Sequence, residues 1–96
     1  MIEIRKTEVF AKWLDNLNDV RARARVLVRI ERLAAGNPGD VASVSEGVSE
    51  LRIDYGPGYR VYYKQFGESL VILLAGGDKQ SQAQDIKTAL RLARNL

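Results

Sequence analysis

The sequence predicts a single α+β domain, residues 1–96, whose helices pack on one face of an antiparallel sheet. Three observations support this fold class. The chain has 96 residues, which is enough for one small domain. Apolar residues repeat with the period of a helix up to about residue 35, and with the period of a strand from about residue 41. Turn-forming glycines divide the second half into short segments, so the expected element order is β-α-α-β-β-β-β-α.

The first half of the chain predicts a strand followed by two helices. Ile2 and Ile4 mark a short opening strand. A short helix follows, because its apolar residues recur at intervals of three and four: Phe10, Trp13, Leu14 and Leu17. Asn16, Asn18 and Asp19 break and re-cap the chain, and a longer helix is expected over residues 20–35. Residues 36–40, with glycine, asparagine and proline, end that helix.

The second half predicts four strands and a last helix. Valines around Ser43 indicate a short, weak strand. Residues 50–55 and 59–64 alternate between polar and apolar side chains on either side of a Gly-Pro-Gly turn, which predicts a β-hairpin with a three-residue loop. The apolar run 70–75 predicts a central strand that is covered on both faces. Residues 81–84 have the spacing of a capping box and open the last helix.

The predicted hairpin separates its side chains onto two faces. A three-residue loop gives an apolar face that meets the core, with three cross-strand pairs: Tyr55 with Tyr59, Ile53 with Val61, and Leu51 with Tyr63. The other face has the pairs Asp54 with Arg60, Arg52 with Tyr62, and Glu50 with Lys64. Two interpretations stay open. Opposite charges could neutralise each other on a solvated face, or the basic and aromatic members could line a concave platform for a nucleic-acid strand.

The composition excludes several kinds of chemistry. Cysteine and histidine are absent, so the chain has no disulfide, thiolate zinc site, cysteine nucleophile or histidine base. Lysine and arginine number 15 against 12 acids, and the net charge of +3 is compatible with a nucleic-acid or acidic-protein partner. No signal peptide and no apolar run of membrane-spanning length is visible, so we expect a cytoplasmic protein with no membrane partner. We also expect no metal and no small-molecule cofactor.

The second predicted helix carries a stripe of arginines. The stripe falls within an arc of roughly 80° on a helical wheel and consists of Arg21, Arg25, Arg29 and Arg32. The acid within the segment, Glu31, lies close to the opposite side of the wheel, so the stripe has no local neutraliser. The stripe is either a solvated helix face or a surface that contacts phosphates or an acidic partner.

Several segments, taken in order, carry a family resemblance. They are residues 10–17 with Trp13, the basic second helix, and residues 36–40 (GNPGD), 47–53 (GVSELRI), 56–62 (GPGYRVY) and 76–79 (GGDK). Together they resemble the RelE/ParE toxin superfamily and, within it, the HigB-like addiction-module killer proteins. The resemblance covers essentially the whole chain. It implies a RelE-like fold, in which an antiparallel sheet is combined with two N-terminal helices and a C-terminal helix.

The resemblance also implies a function. Such a protein is the toxin of a type II toxin–antitoxin module and is neutralised by a cognate helix-turn-helix antitoxin. RelE-type members enter the ribosomal A site and cut mRNA, so we expect a ribosome-dependent, metal-independent endoribonuclease (an mRNA interferase) that inhibits translation. Lysines and arginines can stabilise the charge of the phosphorane that forms when the RNA 2′-hydroxyl attacks. Two alternatives remain: a ParE-like toxin that binds gyrase without cutting RNA, and a catalytically inactive remnant that binds the antitoxin.

Matched by position, the resemblance implies three catalytic residues. Arg60 corresponds to the arginine that acts on the transition state, Arg52 to a basic residue on the preceding strand, and Lys79 to the basic residue after the last strand. The family's tyrosine near the C-terminus has no counterpart, because no tyrosine follows Tyr63. The general base is therefore not identified.

Five further residues are expected to contact RNA. The alternation of the hairpin adds Tyr62 and Lys64. The arginine stripe adds Arg21, Arg25 and Arg29.

Overall fold

The computed structural model describes all 96 residues of the chain. Its elements follow in this order: β1 (Glu3–Lys6), α1 (Glu8–Asp15), α2 (Val20–Ala34), β2 (Val41–Ser45), β3 (Val48–Ile53), β4 (Tyr59–Phe66), β5 (Leu70–Gly77) and α3 (Gln82–Arg94). This is the α+β order that the sequence predicts, and it is consistent with a RelE-like fold. None of the three helices is both long enough and apolar enough to cross a membrane.

The five strands form one mixed sheet in the order β1-β5-β4-β3-β2. Strands β2 to β5 pair with one another in antiparallel fashion, as predicted, and the apolar strand β5 lies inside the sheet. β1 departs from the prediction, because it pairs with β5 in parallel. A helix follows β1, whereas hairpin turns follow the later strands, so nothing ties β1 to an antiparallel partner.

Of the two predicted N-terminal caps, the one before α2 is confirmed and the one before α3 is wrong; Thr7 caps α1, where no cap was predicted. Thr7 accepts a hydrogen bond from a backbone amide of α1, and Asp19 accepts from two amides of α2. The predicted capping box at the start of α3 is wrong, because the side chain of Ser81 makes no capping bond. Its hydroxyl instead donates to a carboxylate oxygen of Asp85, 2.5 Å away.

Helices cover both faces of the sheet, so the expectation that they share one face is wrong. α1 and α2 pack on one face over an apolar core: Phe10, Leu14, Val26, Leu33, Leu51, Ile53, Val61, Tyr63, Val71 and Leu73. α3 packs on the other face over a smaller cluster: Val48, Tyr62, Leu74, Ala75 and Ala89. The hairpin sequence does not predict this second core. Charged and apolar residues share the face under α3, and alternating polar and apolar residues are typical of a sheet with one solvated face.

The hairpin between β3 and β4 differs from its predicted register by two residues. Its loop has five residues, 54–58, because Gly58 closes a turn by donating its amide to the carbonyl of Tyr55 (3.1 Å) and holds φ at +81°. The ladder therefore begins with Ile53 opposite Tyr59, and Arg52 lies opposite Arg60. A shift of two residues leaves every side chain on its predicted face, so the apolar face still meets the core.

Candidate active site

A cleft of about 340 Å³ opens at the end of the sheet beside the turn between β3 and β4. The three residues predicted to be catalytic lie together in its lining: Arg52, Arg60 and Lys79. Two carboxylates, Asp40 and Asp54, line the same cleft. The cleft is therefore a small basic concavity with acids at its rim, built from both strands of the hairpin and from the loop that follows β5.

Glu50 holds the two arginines of the cleft. Like charges directly opposite each other destabilise a sheet, and the register places Arg52 opposite Arg60. Glu50 is only 3% exposed and lies between them. One of its oxygens is 3.3 Å from the Nε atom of Arg52, and the other is 3.5 Å from the Nε atom of Arg60. The carboxylate thus neutralises a pair of cations that would otherwise repel each other.

Two neutral donors also hold Glu50, both at the oxygen that lies near Arg60. The hydroxyl of Tyr62 donates to Oε1 at 3.1 Å, and the side-chain amide of Gln82 donates to the same oxygen at 2.8 Å. Burial and the neighbouring Glu50 raise the pKa of Tyr62 far above its ordinary value of 10.0, so its phenol stays protonated and remains a donor. Because Gln82 is the first residue of α3, the packing of that helix fixes the carboxylate behind the arginines.

The guanidinium of Arg60 is held along one edge and open along the other. Its side chain is 11% exposed, and its Nε atom is buried without a hydrogen bond of good geometry. Its terminal nitrogens make no hydrogen bond within the protein, and the residue lines the cleft. Arg52 is freer, with 43% of its side chain exposed and a terminal nitrogen 3.9 Å from Asp40. A guanidinium that is held in place and still has free N–H groups can donate hydrogen bonds to a phosphate oxygen.

Lys79 reaches the cleft across the turn of the hairpin. Its alkyl chain lies against Gly58, where a β-carbon would stand 3.1 Å from Cε of the lysine. The preceding glycine pair brings the end of β5 close to both helical layers. A β-carbon on Gly76 would lie 2.2 Å from the ring of Trp13, and one on Gly77 would lie 1.7 Å from the carboxylate of Asp85. The glycines therefore set the position of the loop that carries Lys79.

Comparison with known proteins assigns the family of this chain. Residues 12–96 match the phage-derived Gp49-like family (DUF891). The chain belongs to the Gp49-like family. It is also 53% identical over 95 residues to an uncharacterized protein of Haemophilus influenzae, an alignment that covers 99% of this chain and 96% of the relative. The family is RelE-like and supports the expectation of a toxin with an antitoxin partner, without distinguishing the HigB-like branch.

The arginine stripe of this Gp49-like chain lines a second groove of about 630 Å³, between α2 and the tip of the hairpin. Arg21, Arg25 and Arg29 all line it, and the groove shares Asp54 with the first cleft. The guanidinium of Arg25 lies over the ring of Tyr55, 4.6 Å from its centre. The three arginines expected to bind RNA are thus brought to one surface next to the candidate active site.

Arg29 differs from the other arginines of the stripe, because its guanidinium already makes three hydrogen bonds within the fold. It donates to the backbone carbonyls of Pro38 (2.9 Å), Asp40 (3.2 Å) and Arg52. These bonds tie α2 to the segment before β2 and to the end of β3. Arg29 therefore stabilises the fold by linking α2 to these two segments.

The expected platform on the outer face of the hairpin is wrong. Tyr62 is fully buried beneath α3, so its ring cannot stack on a base. Lys64 lies four residues further along β4, roughly 13 Å from Arg60 in an extended strand, and its amine lies 5.5 Å from the ring centre of Phe66. Lys64 does not line the cleft. The covering helix, which sequence periodicity does not place on a particular face, removes Tyr62 from the site, and distance along β4 removes Lys64.

Two further residues belong to the site although the sequence did not mark them: Glu50 as the anchor of the arginines and Gln82 as its support. The acidic residue of a Glu-Leu-Arg segment looks like one half of a surface ion pair. Its burial depends on α3, which is more than 30 positions away in the chain. The structure brings together no group of three or more side chains that could ligate a metal.

Proposed function

We propose that this chain is a toxin that cuts mRNA on the ribosome without a metal ion, and that it belongs to the HigB-like branch. The observation that carries the proposal is the guanidinium of Arg60, held along one edge by Glu50 and open to the cleft along the other. Arg52 and Lys79 add two positive charges to the same cleft. Charges fixed before the reaction stabilise a developing phosphorane without reorganising during it.

The reaction consistent with this cleft is attack of the RNA 2′-hydroxyl on the adjacent phosphate. The new bond joins the 2′-oxygen to phosphorus, and the bond to the 5′-oxygen of the next nucleotide breaks. The 2′-hydroxyl must lose a proton and the leaving 5′-oxygen must gain one. Asp40, Asp54 and Lys79 are the side chains in the cleft that could move these protons, and Arg52 and Arg60 would hold the non-bridging oxygens.

Mapping of mRNA 5′ ends tests the proposal in cells. The chain is induced briefly without its antitoxin, beside an Arg52→Ala/Arg60→Ala variant. The matched control, Arg5→Ala/Arg91→Ala, removes the same two charges at exposed positions outside the cleft. We expect new ends within translated regions for the wild type and the control, and none for the cleft variant.

Three measurements distinguish a nuclease from a gyrase-binding toxin and from an inactive chain. Thermal unfolding of each purified variant checks that the cleft variant is folded. Growth arrest without new mRNA ends would overturn the nuclease and redirect attention to gyrase, for which a DNA supercoiling assay is decisive. Absence of both arrest and new ends would leave a chain that only binds its antitoxin.

A further inference from the structure

The side of α2 that faces away from the sheet exposes a second apolar stripe. It consists of Val20, Ala24, Leu27 and Val28, at the spacing i, i+4, i+7, i+8 that places residues on one side of a helix. Val20 is 77% exposed, Leu27 44% and Val28 42%. These are three of the seven large hydrophobic residues that the whole chain exposes, and two of the other four are the terminal residues. Such clustering on one helix is typical of an interaction site.

Unneutralised arginines border this apolar stripe along one edge. Arg21, Arg25 and Arg32 are exposed, and none of them forms an ion pair with a carboxylate. The one acid of α2, Glu31, is exposed beside the apolar stripe and not among the arginines. The surface of α2 thus combines an aliphatic ridge with a row of free positive charge.

We propose that this surface of α2 binds an acidic amphipathic helix of a protein partner. The partner's aliphatic side chains would cover Val20, Leu27 and Val28, and its carboxylates would meet the neighbouring arginines. This assignment rests on the proposed function only in naming that partner as the antitoxin. The chemistry itself follows from the two stripes, because charge complementarity selects an acidic segment and the ridge selects an apolar one.

A helical protein segment fits the surface better than RNA does. RNA offers phosphates to the arginines, but it has no aliphatic surface with which to cover valine and leucine side chains. The ridge from Val20 to Val28 is about 12 Å long, a little more than two helical turns. A partner helix packed at the usual distance of about 8–10 Å between axes places its own apolar row on this ridge. Carboxylates one position to the side then reach Arg21 and Arg25.

The test uses the small protein encoded beside the gene for this chain, titrated calorimetrically into the purified chain and its variants. Leu27→Ser/Val28→Ser removes the ridge, and Arg21→Glu reverses one charge at an exposed position near the start of α2, where an acid suits the helix dipole. We expect each variant to raise the Kd by at least about tenfold. We expect the loss for Arg21→Glu to shrink at high salt.

The matched controls are Val9→Ser, another exposed hydrophobic residue, and Lys87→Glu, another exposed cation, and both should leave the Kd within about twofold. A complex that binds all variants with equal affinity overturns the docking surface and leaves the toxin assignment standing. If no complex forms with the wild type, the antitoxin assignment fails and the docking proposal fails with it. A 20-nucleotide single-stranded RNA serves as the competing occupant. Weaker RNA binding by Arg21→Glu, together with unchanged partner binding by Leu27→Ser/Val28→Ser, would make α2 an RNA surface instead.

Discussion

The two faces of the sheet are built on different principles. The face under α1 and α2 has a core of ten buried residues, all of them hydrophobic. The face under α3 holds a smaller apolar cluster and the buried carboxylate of Glu50, with Tyr62 and Gln82 as its donors. The first face contributes most of the hydrophobic free energy of folding. The second contributes less and instead fixes two arginines at the edge of a cleft, so stability and chemistry are largely separated between the faces.

Truncation of the apolar face should have the largest effect on stability. Leu33 is 1% exposed in the core under α2, so Leu33→Ala leaves a cavity there and should lower the free energy of unfolding by about 3 kcal/mol. For a chain of 96 residues this is a large part of the total. Urea unfolding measures the loss, and RNA cleavage by the folded fraction should stay close to that of the wild type. A large loss of cleavage in the folded protein would show that the two faces are not separable.

Removal of the charge of Glu50 should cost less stability and much more activity. Glu50→Gln keeps the shape of the side chain, but it leaves Arg60 without a carboxylate partner and Arg52 with only Asp40, 3.9 Å away. Because Arg52 is partly exposed, we expect a loss of about 2 kcal/mol, below the usual value for a broken buried pair. Without Glu50 to hold it, the guanidinium of Arg60 should shift, and cleavage should slow by at least about tenfold at a temperature where the variant is fully folded.

The position of Arg60 provides the readout that separates these two effects of Glu50→Gln. The side-chain Nε–H resonance of Arg60 should move in Glu50→Gln and stay in place in Leu33→Ala. An unmoved resonance, with cleavage at the wild-type rate, would show that Glu50 is only part of the packing.

Loss of the Tyr62 hydroxyl should have a smaller effect on the same network. Tyr62→Phe removes one of the two neutral donors to Glu50, and Gln82 still holds the same oxygen. The variant should lose about 1 kcal/mol of stability, which is typical of a single hydrogen bond. Tyr55→Phe is the matched control, because no hydrogen bond of that hydroxyl forms in the structure. Equal losses of stability in Tyr62→Phe and Tyr55→Phe would show that the Tyr62–Glu50 hydrogen bond does not stabilise the fold.

The smallest predicted effect is a dependence of stability on pH at the start of α3. Burial is the main cause that raises the pKa of Asp85 above its ordinary value of 3.8, and Asp78 adds to it. A carboxyl whose pKa is raised by folding costs stability once it is ionised, so the cost appears as the pH rises through that range. Asp85→Asn should therefore gain in Tm relative to the wild type from pH 3 to pH 7. A difference in Tm that narrows over the same range would contradict this.

Parts of the structure that depend on residues close together in the sequence could be predicted, and parts that depend on distant residues could not. The order of elements, the arginine stripe and the cap of α2 at Asp19 depend on neighbours within a few residues, and the sequence predicts them. The family pattern also names Arg52, Arg60 and Lys79, which the structure brings into one cleft. Their roles in catalysis stay predictions.

The rest depends on contacts that periodicity does not encode. The side of the sheet that α3 covers decides whether Tyr62 is a platform or a buried donor, and whether Glu50 is a surface charge or an anchor. The register of the hairpin depends on where Gly58 takes its positive φ, a choice that the Gly-Pro-Gly sequence leaves open. Residues 54–58 are therefore the segment where local pattern and actual pairing diverge most.

The most direct test of the account is the rate of mRNA cleavage on purified, programmed ribosomes under single-turnover conditions. The comparison is between the wild type, Arg60→Lys, which keeps the charge but loses the forked guanidinium, and Arg91→Lys as a control on the exposed side of α3. We predict a loss of about a hundredfold for Arg60→Lys and a change within about twofold for Arg91→Lys. Cleavage by Arg60→Lys at the wild-type rate, or no cleavage by the wild type, would contradict the account.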